Sequence, residues 1–488
     1  MARFARRAGL LAGGCLILTT AGAPAQADTL RDALLTAYQT NPTLEAARAQ
    51  QRATDEGVPI ARAAGLPSAS AQGTYTEYLK QSENSFNAPS RVVNAGVDLG
   101  VPIYSGGAVK NRVKAAKIRV EAGQADLRGS ESSLFSQVVA AYMDVIRTEA
   151  IVGLNRKNVS VLQTNLQATG DRFEIGDVTR TDVAQSQSRL AVAQSDLRTA
   201  EANLVGARET YIRLIGVAPA TLEPPPPLPN LPASADEATT IALDSNPDLI
   251  GARERSKAAE KDIDVAGSGR LPTVRLFGQG TYNNYLNTLA RGVPSAGVSQ
   301  TDSAAQAGAQ ISIPIFQGGL PAAQRRQAQA QASATMEQEI AAERDVIAQV
   351  RSSYTSYVAS NDLIRSSQVA VDAAALSLEG VRAENSVGNR TILDILNAEQ
   401  ELLNAQVTLV TARRNAYVAG FTLLAAMGRA EARDFNLDGG VLYDPQVNYD
   451  RVRGKVFDWD NDPAPVARST RTIDTPAQDG EIPVTQGP

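Results

Sequence analysis

Hydrophobic and polar residues follow two different periods along this chain, and the period changes at corresponding places in its two halves. Val93, Ala95, Val97, Leu99, Val101 and Ile103 alternate with Val92, Asn94, Gly96, Asp98, Gly100 and Pro102. Ala305, Ala307, Ala309, Ile311, Ile313 and Ile315 alternate likewise with Gln306, Gly308, Gln310, Ser312 and Pro314. A period of two, with one face apolar, predicts strands at 91–104 and 303–316. In each the alternation runs over about 11 residues, enough for a tilted strand to cross a bilayer. Weaker strands are expected just before them, at 66–80 and 271–286. Tyr75, Tyr78, Tyr104, Phe277, Tyr282, Tyr285 and Phe316 fall near the expected strand ends, where an aromatic girdle would sit. A soluble sandwich with a half-buried face would alternate in the same way.

Beyond each strand pair the period lengthens to that of packed helices. Val183, Leu190, Leu197, Leu204 and Tyr211 recur every seven residues beside Ser186, Ala193, Ala200, Ala207 and Leu214. Ile395, Leu402, Leu409, Ala416 and Leu423 run beside Ala398, Ala405, Ala412, Ala419 and Ala426. One bulky row next to one small row lets helices approach closely along a seam. No proline occurs from Ile103 to Ala218 or from Ala322 to Asp444, and residues 322–379 lack glycine as well. That uninterrupted stretch would make a rod of roughly 87 Å. Gly176-Asp177 and Gly388-Asn389 break the two runs, which predicts two antiparallel hairpins of long helices with tips at Gly176 and Gly388. A plain coiled-coil rod satisfies the heptads equally well.

The two halves are copies. Asn41-Pro42-Thr43-Leu44 returns as Asn246-Pro247-Asp248-Leu249 and Leu66-Pro67 as Leu271-Pro272, both displaced by 205. Val101-Pro102-Ile103-Tyr104-Ser105-Gly106-Gly107 returns as Ile313-Pro314-Ile315-Phe316-Gln317-Gly318-Gly319, and Gly176 with Asp182 as Gly388 with Asp394, displaced by 212. Each Asn-Pro pair suits a helix start, with asparagine as N-cap and proline at the first helical position. The resulting division is 28–222 for the first repeat, 223–235 for a proline-rich linker and 236–428 for the second repeat. A C-terminal segment at 429–459 follows, then a tail at 460–488 whose prolines and low apolar content predict disorder.

Composition narrows the chemistry. Residues 1–27 read as a secretory signal peptide, with an apolar run from Leu10 to Leu18 and a small-x-small site at Ala25-Gln26-Ala27. Lipidation at Cys15 is the alternative there. After Ala27 no stretch reaches the length of a membrane-spanning helix, so a mature protein that crosses a membrane must do so as strands. The chain has no histidine, and Cys15 is its only cysteine. Cys/His metal sites, Ser-His-Asp triads and disulfides are therefore excluded from the mature chain, and no cofactor is expected. The formal charge of −5 becomes −8 without Arg3, Arg6 and Arg7, so nothing favours a nucleic-acid partner. Acids lie scattered along helices rather than paired across a pocket, which argues against an enzyme such as a glycosidase. Four strands cannot close a barrel, and an open edge in lipid would leave backbone groups unpaired. Several chains must pool their strands.

These ordered, duplicated motifs resemble the TolC family of outer-membrane channels of type I secretion and drug efflux, over about residues 28–455. The resemblance implies a mainly α protein with transmembrane β structure. In that fold a homotrimer closes a 12-strand β-barrel continuous with a long 12-helix α-barrel. It also implies an outer-membrane location reaching into the periplasm, with a periplasmic adaptor protein and an inner-membrane transporter, ABC-type or proton-driven, as partners. Leu442-Tyr443-Asp444-Pro445 through Lys455 resembles members associated with type I secretion. The family closes its channel at the hairpin tips. By motif, Arg390 falls at the gate arginine and Asp394 at an aspartate ring, with Thr181 and Asp182 as gate partners on the first hairpin. Asn385 and Asn397 stand where the family's pattern has a tyrosine and a second aspartate. Crowding of Asp394 copies at a pore end is expected to raise its pKa. Four residues apart, Arg390 and Asp394 also suit an ordinary surface helix pair. A non-conducting rod or adhesin of the cell envelope is the competing function.

Overall fold

The computed structural model describes residues 28–81, 88–229, 231–289, 297–437 and 442–482, so the expected signal segment lies outside the described residues. The first repeat runs α1 (Leu30–Thr40), α2 (Pro42–Asp55), α3 (Gly57–Ala63), β1 (Ser68–Glu77), β2 (Arg91–Ser105), α4 (Ala108–Glu174) and α5 (Arg180–Ile215). The second runs α6 (Ala235–Ser245), α7 (Pro247–Gly267), β3 (Thr273–Asn284), β4 (Thr301–Ser312), α8 (Leu320–Ser386) and α9 (Ile392–Ala426), and α10 (Pro445–Val452) follows. The helices α1 and α6, ahead of each Asn-Pro, have no counterpart in the motif reading.

Two helices dominate. Each of α4 and α8 has 67 residues, about 100 Å of unbroken helix. Their hairpin partners are shorter, 36 residues in α5 and 35 in α9, the stretches that carry the heptads. The Asn-Pro motifs make up the difference. Asn41 accepts from the N–H groups of Thr43 and Leu44 through Oδ1, capping α2, while its Nδ2 donates to the carbonyl of Leu214 at the end of α5 at 2.8 Å. Asn246 repeats this, capping α7 and donating to Ala426 O of α9 at 2.9 Å. One side chain thus satisfies orphan groups of two helix ends at once, so α2–α3 continues α5 and α7 continues α9.

The lateral order is α5 with α2–α3, then α4, then α9 with α7, then α8. Ion pairs fasten α4 to the second repeat and the segment after it: Arg119 with Asp262, Asp126 with Arg255, Arg128 with Glu431 at 2.7 Å and Asp144 with Arg414 at 2.8 Å. The main core lies where α1, α4, α5 and the end of α9 converge. Phe135, Tyr142, Tyr211 and Phe421 are fully buried there, and the Tyr142 hydroxyl lies within 2.9 Å of the carbonyls of Asp28 and Glu223. The heptad seam in α5 buries its small row, Ser186, Ala193 and Ala200.

The strands form one antiparallel sheet in the order β1-β2-β3-β4, with β1 and β4 as edges. Its register places Ala71, Val97, Gly280 and Ala305 in one row and Ala69, Leu99, Gly278 and Ala307 in the next. Residues opposite one another share a face, so one side is apolar or small across all four strands except for the end row of Val93, which holds Asn284 and Thr301. The other side carries rows such as Ser70, Asp98, Gln279 and Gln306. Cross-strand bonds join Gln306 to Gln279 at 2.6 Å and Arg275 to Gln310 at 2.7 Å on that polar face.

Three expectations about the strands are corrected. Phe277 belongs to the polar face, opposite Gly100 and Gly308, and its ring covers Gly308 instead of joining a girdle. The alternation expected through Ile103 breaks at a bulge between Pro102 and Tyr104, so Tyr104 pairs with Val274 on the apolar side. The strand expected to reach Phe316 stops at Ser312, because β3 begins at Thr273 and offers no partner further along.

The tail also differs from expectation. From Asp460 through Ile482 it holds no regular element, yet it is laid against the first hairpin. Arg156 and Arg208 donate to its carbonyls at 3.0 and 2.9 Å, and Ile482 packs on the main core. Paired arginines supply the attachment that apolar content alone did not promise. The segment ahead of it is also anchored, since Tyr443 N–H donates to the Tyr38 hydroxyl and Asn448 to the buried Asp55 carboxylate.

Candidate functional site

Both tips turn on a left-handed glycine, Gly176 at φ +77° and Gly388 at φ +83°, a conformation that costs glycine nothing. A capping box restarts each helix. Thr179 donates its N–H and hydroxyl to Asp182 Oδ2 at 2.8 and 2.7 Å and accepts from Asp182 N–H. Thr391 donates its N–H and hydroxyl to Asp394 Oδ2 at 2.9 and 2.8 Å and accepts from Asp394 N–H in the same way. Asp182 and Asp394 are therefore equivalent by repeat and are the acids of the two caps.

These bonds hold both carboxylates below the ordinary range. The Thr179 hydroxyl leads for Asp182 and the Thr391 backbone N–H for Asp394. Within the protomer the sign is thus opposite to the rise expected for Asp394, because the cap's donors favour the ionised form. A lowered folded pKa means that each cap contributes fully above the ordinary carboxylate pKa. The contribution is lost only as pH falls through the lowered value.

Arg390 precedes α9 and does not pair with Asp394. Its Nε donates to Glu384 Oε2 at 2.6 Å across the turn, and that carboxylate raises the guanidinium's pKa. The first tip carries the same clasp with its charges exchanged, Arg172 on the outgoing helix and Asp177 in the turn, at 2.6 Å. Asn385 donates to the Arg390 carbonyl at 2.7 Å, fixing the turn. Asn397 accepts from Arg189 of α5 at 2.8 Å, a direct link between the hairpins. Thr181 is exposed in the first turn of α5.

Sequence reasoning missed what lies just above. Val159 and Leu162 of α4, Ala193 of α5 and Leu396 of α9 form a buried apolar cluster that joins the two hairpins. Beside it Glu399, 6% exposed, accepts from Asn165 Nδ2 of α4 at 3.0 and 3.1 Å and from Arg382 Nη2 of α8 at 3.0 Å. The signal was present in the pattern. Leu396, Glu399 and Leu403 fall on one buried stripe of α9, and a charge within such a stripe implies a partner.

Among the described residues no helix is long and apolar enough to cross a membrane. The family described as outer membrane efflux protein matches residues 33–217 and again 239–429, one match on each repeat. The chain belongs to the outer membrane efflux protein family. It is 32% identical over 438 residues to the outer membrane efflux protein BepC of Brucella suis biovar 1 (strain 1330), covering 89% of this chain and 93% of that one. It is 28% identical to the outer membrane protein TolC of Escherichia coli (strain K12), covering 84% of each. The alkaline protease secretion protein AprF of Pseudomonas aeruginosa is 28% identical over 64% of each chain.

Solved structures share the fold at lower identity. CusC, with a TM-score of 0.70 at 19% identity, covers 82% of this chain and 92% of its own. VceC of Vibrio cholerae, also at 0.70 and 21% identical, covers 82% and 96%. Family membership makes this chain an outer-membrane transport protein of the export class, with a duplicated α-barrel and β-barrel architecture.

Proposed function

We propose that three copies of this chain close into one exit duct, with a 12-strand β-barrel in the outer membrane and a 12-helix barrel reaching into the periplasm. One observation carries the reading: both layers leave the same two sides open. On one side α3 leads into the free edge β1, and on the other the free edge β4 leads into α8. A neighbour pairing its β1 with β4 would bring its α2–α3 and α5 against α8. On the side away from its buried stripe α8 exposes Ile340, Val358, Val369 and Leu376, more apolar surface than a lone rod needs. The apolar side of the sheet would then meet lipid and the polar side would line water.

In this reading the tips are the closed end. Arg390, Thr181 and Asp182 meet between copies, Asn385 and Asn397 hold turn and hairpin contacts, and the Asp394 copies form a negative ring. A periplasmic adaptor and an inner-membrane pump, ABC-type or proton-driven, would deliver substrate there. The names of the relatives support both small-molecule efflux and protein secretion as substrate classes. A non-conducting rod would need neither the polar sheet face nor the paired open sides.

Native mass measurement in detergent combined with planar-bilayer recording tests the proposal. The expected species is a trimer that conducts with cation preference, since clustered carboxylates draw in cations. Asp394→Ala should shift the reversal potential in a salt gradient, and Arg390→Ser should raise open probability. A stable monomer without conductance would sink the duct. A conducting trimer indifferent to both substitutions would return Arg390 and Asp394 to purely local roles in clasp and cap.

A further inference from the structure

The hold on the tail is built like a recognition site. Arg156 of α4 donates Nη2 to the carbonyl of Gly480 at 3.0 Å, and Arg208 of α5 donates Nη1 to the carbonyl of Asp479 at 2.9 Å. Each guanidinium is itself positioned by an acid, Arg156 by Glu201 at 3.3 Å and Arg208 by Glu149 at 2.8 Å. Arg208 also lies 3.5 Å from the Asp479 carboxylate, and Gln478 N–H donates to Glu209 at 3.3 Å. A Cβ on Gly480 would come within 2.7 Å of Glu201 Cβ and 3.2 Å of its Cα, so the tail backbone touches α5 more closely than any side chain permits. Ile482 ends the run against Gly153.

Main-chain recognition, one obligatory small residue and one apolar anchor are how proteins bind extended peptides. We propose that the groove between α4 and α5 is a peptide-binding site, and that its ligand is the chain's own segment Gln478–Ile482.

The internal duplication supplies a control. At the displacement of 212, Arg156 and Arg208 become Gln368 and Gly420, while Gly153 and Glu201 become Arg365 and Arg413. The second hairpin keeps neither guanidinium, and it fills the anchor's position with a long charged side chain. The site belongs to the first hairpin alone, and its occupant is tethered, which favours docking through high effective concentration.

Thiol labelling of the full chain tests this, because Cys15 is its only cysteine and lies in the segment read as cleaved. Ile482→Cys reports the docked anchor, and Ile473→Cys reports an exposed part of the same tail. With the groove occupied, a maleimide should modify position 482 at least about tenfold more slowly than position 473. Adding Gly480→Val, which leaves the hairpin untouched, or Arg156→Gln should bring the two rates together. Equal rates without those additions would overturn the proposal. Slow labelling that persists with both substitutions would do so too, since the segment would then be held by something other than this groove.

Discussion

Val97→Lys is expected to weaken assembly into a bilayer by about 2 to 4 kcal/mol, the cost of lysine near the midplane of a lipid-facing strand, whereas Ile311→Lys, one residue from the end of β4, should cost only about 0 to 1 kcal/mol. The strand register puts Val97 in the row of Ala71, Gly280 and Ala305, and Ile311 opposite Val274, all on the apolar side. Neither position has a polar partner to receive an ammonium group. Asn94→Lys should be tolerated, because its neighbours Thr74 and Asn283 lie on the water side. Gln310 is a poorer control than its polarity suggests. It accepts from Arg275 directly opposite, so lysine there would set two positive charges side by side. Urea-dependent folding into lipid vesicles measures the difference, and equal losses at Val97 and Asn94 would mean that the faces are reversed or both buried.

The features legible in the sequence were those written as a period or as special backbone chemistry. Alternation located β2 and β4, proline-free heptads located the long helices, and the glycines at 176 and 388 located both tips. Each signal follows from local geometry, so it survives without knowledge of the partner. The asparagines were legible as N-caps for the same reason. Their second bond, to Leu214 and Ala426, was not, because it depends on where another helix ends. The bulge at Ile103 escaped because a period of two cannot register one inserted residue. The early end of β4 depends on its neighbour's length. The tail was misjudged because composition measures core-forming capacity and not the reach of Arg156 and Arg208.

The candidate gate shows the same division more sharply. Motif position identified Arg390 and Asp394, but motif position does not say which neighbour a side chain chooses. Within the protomer Arg390 takes Glu384, and Asp394 is engaged by the Thr391 cap. A single carboxylate can cap a helix and face a pore at once, since the cap uses Oδ2 and leaves Oδ1 free of it. The charge exchange between the Arg172–Asp177 and Glu384–Arg390 clasps indicates that each tip keeps its own turn rigid. If the tips are the closed end, as proposed, opening would separate the hairpins, where the links are Arg189 to Asn397 and the cluster around Glu399.

Glu399→Leu is expected to have the larger effect of any change at those links. It removes the shared acceptor of Asn165 and Arg382 and so weakens the hold of α9 on α4 near the tips. The Arg382 side chain is half exposed and can return to water, whereas the Asn165 amide would lose its acceptor inside the interface. Leaving such a group unpaired costs about 1 to 3 kcal/mol, and that part of the loss falls on the contact between hairpins, whereas the lost pair with Arg382 lies within the second hairpin. Open probability in planar bilayers should therefore rise while the helical content stays that of the parent. Glu399→Gln keeps an acceptor for Asn165 and gives up only the ion pair with Arg382, so it should lie between the parent and Glu399→Leu. Arg189→Ala removes an exposed bond and should do less than either. If Glu399→Gln opens the channel as far as Glu399→Leu does, the ion pair with Arg382 and not the bond from Asn165 is the link that resists separation. If Glu399→Leu gates like the parent, the buried carboxylate is not that link. The apolar cluster of Leu162, Ala193 and Leu396 would then hold the closed end by itself.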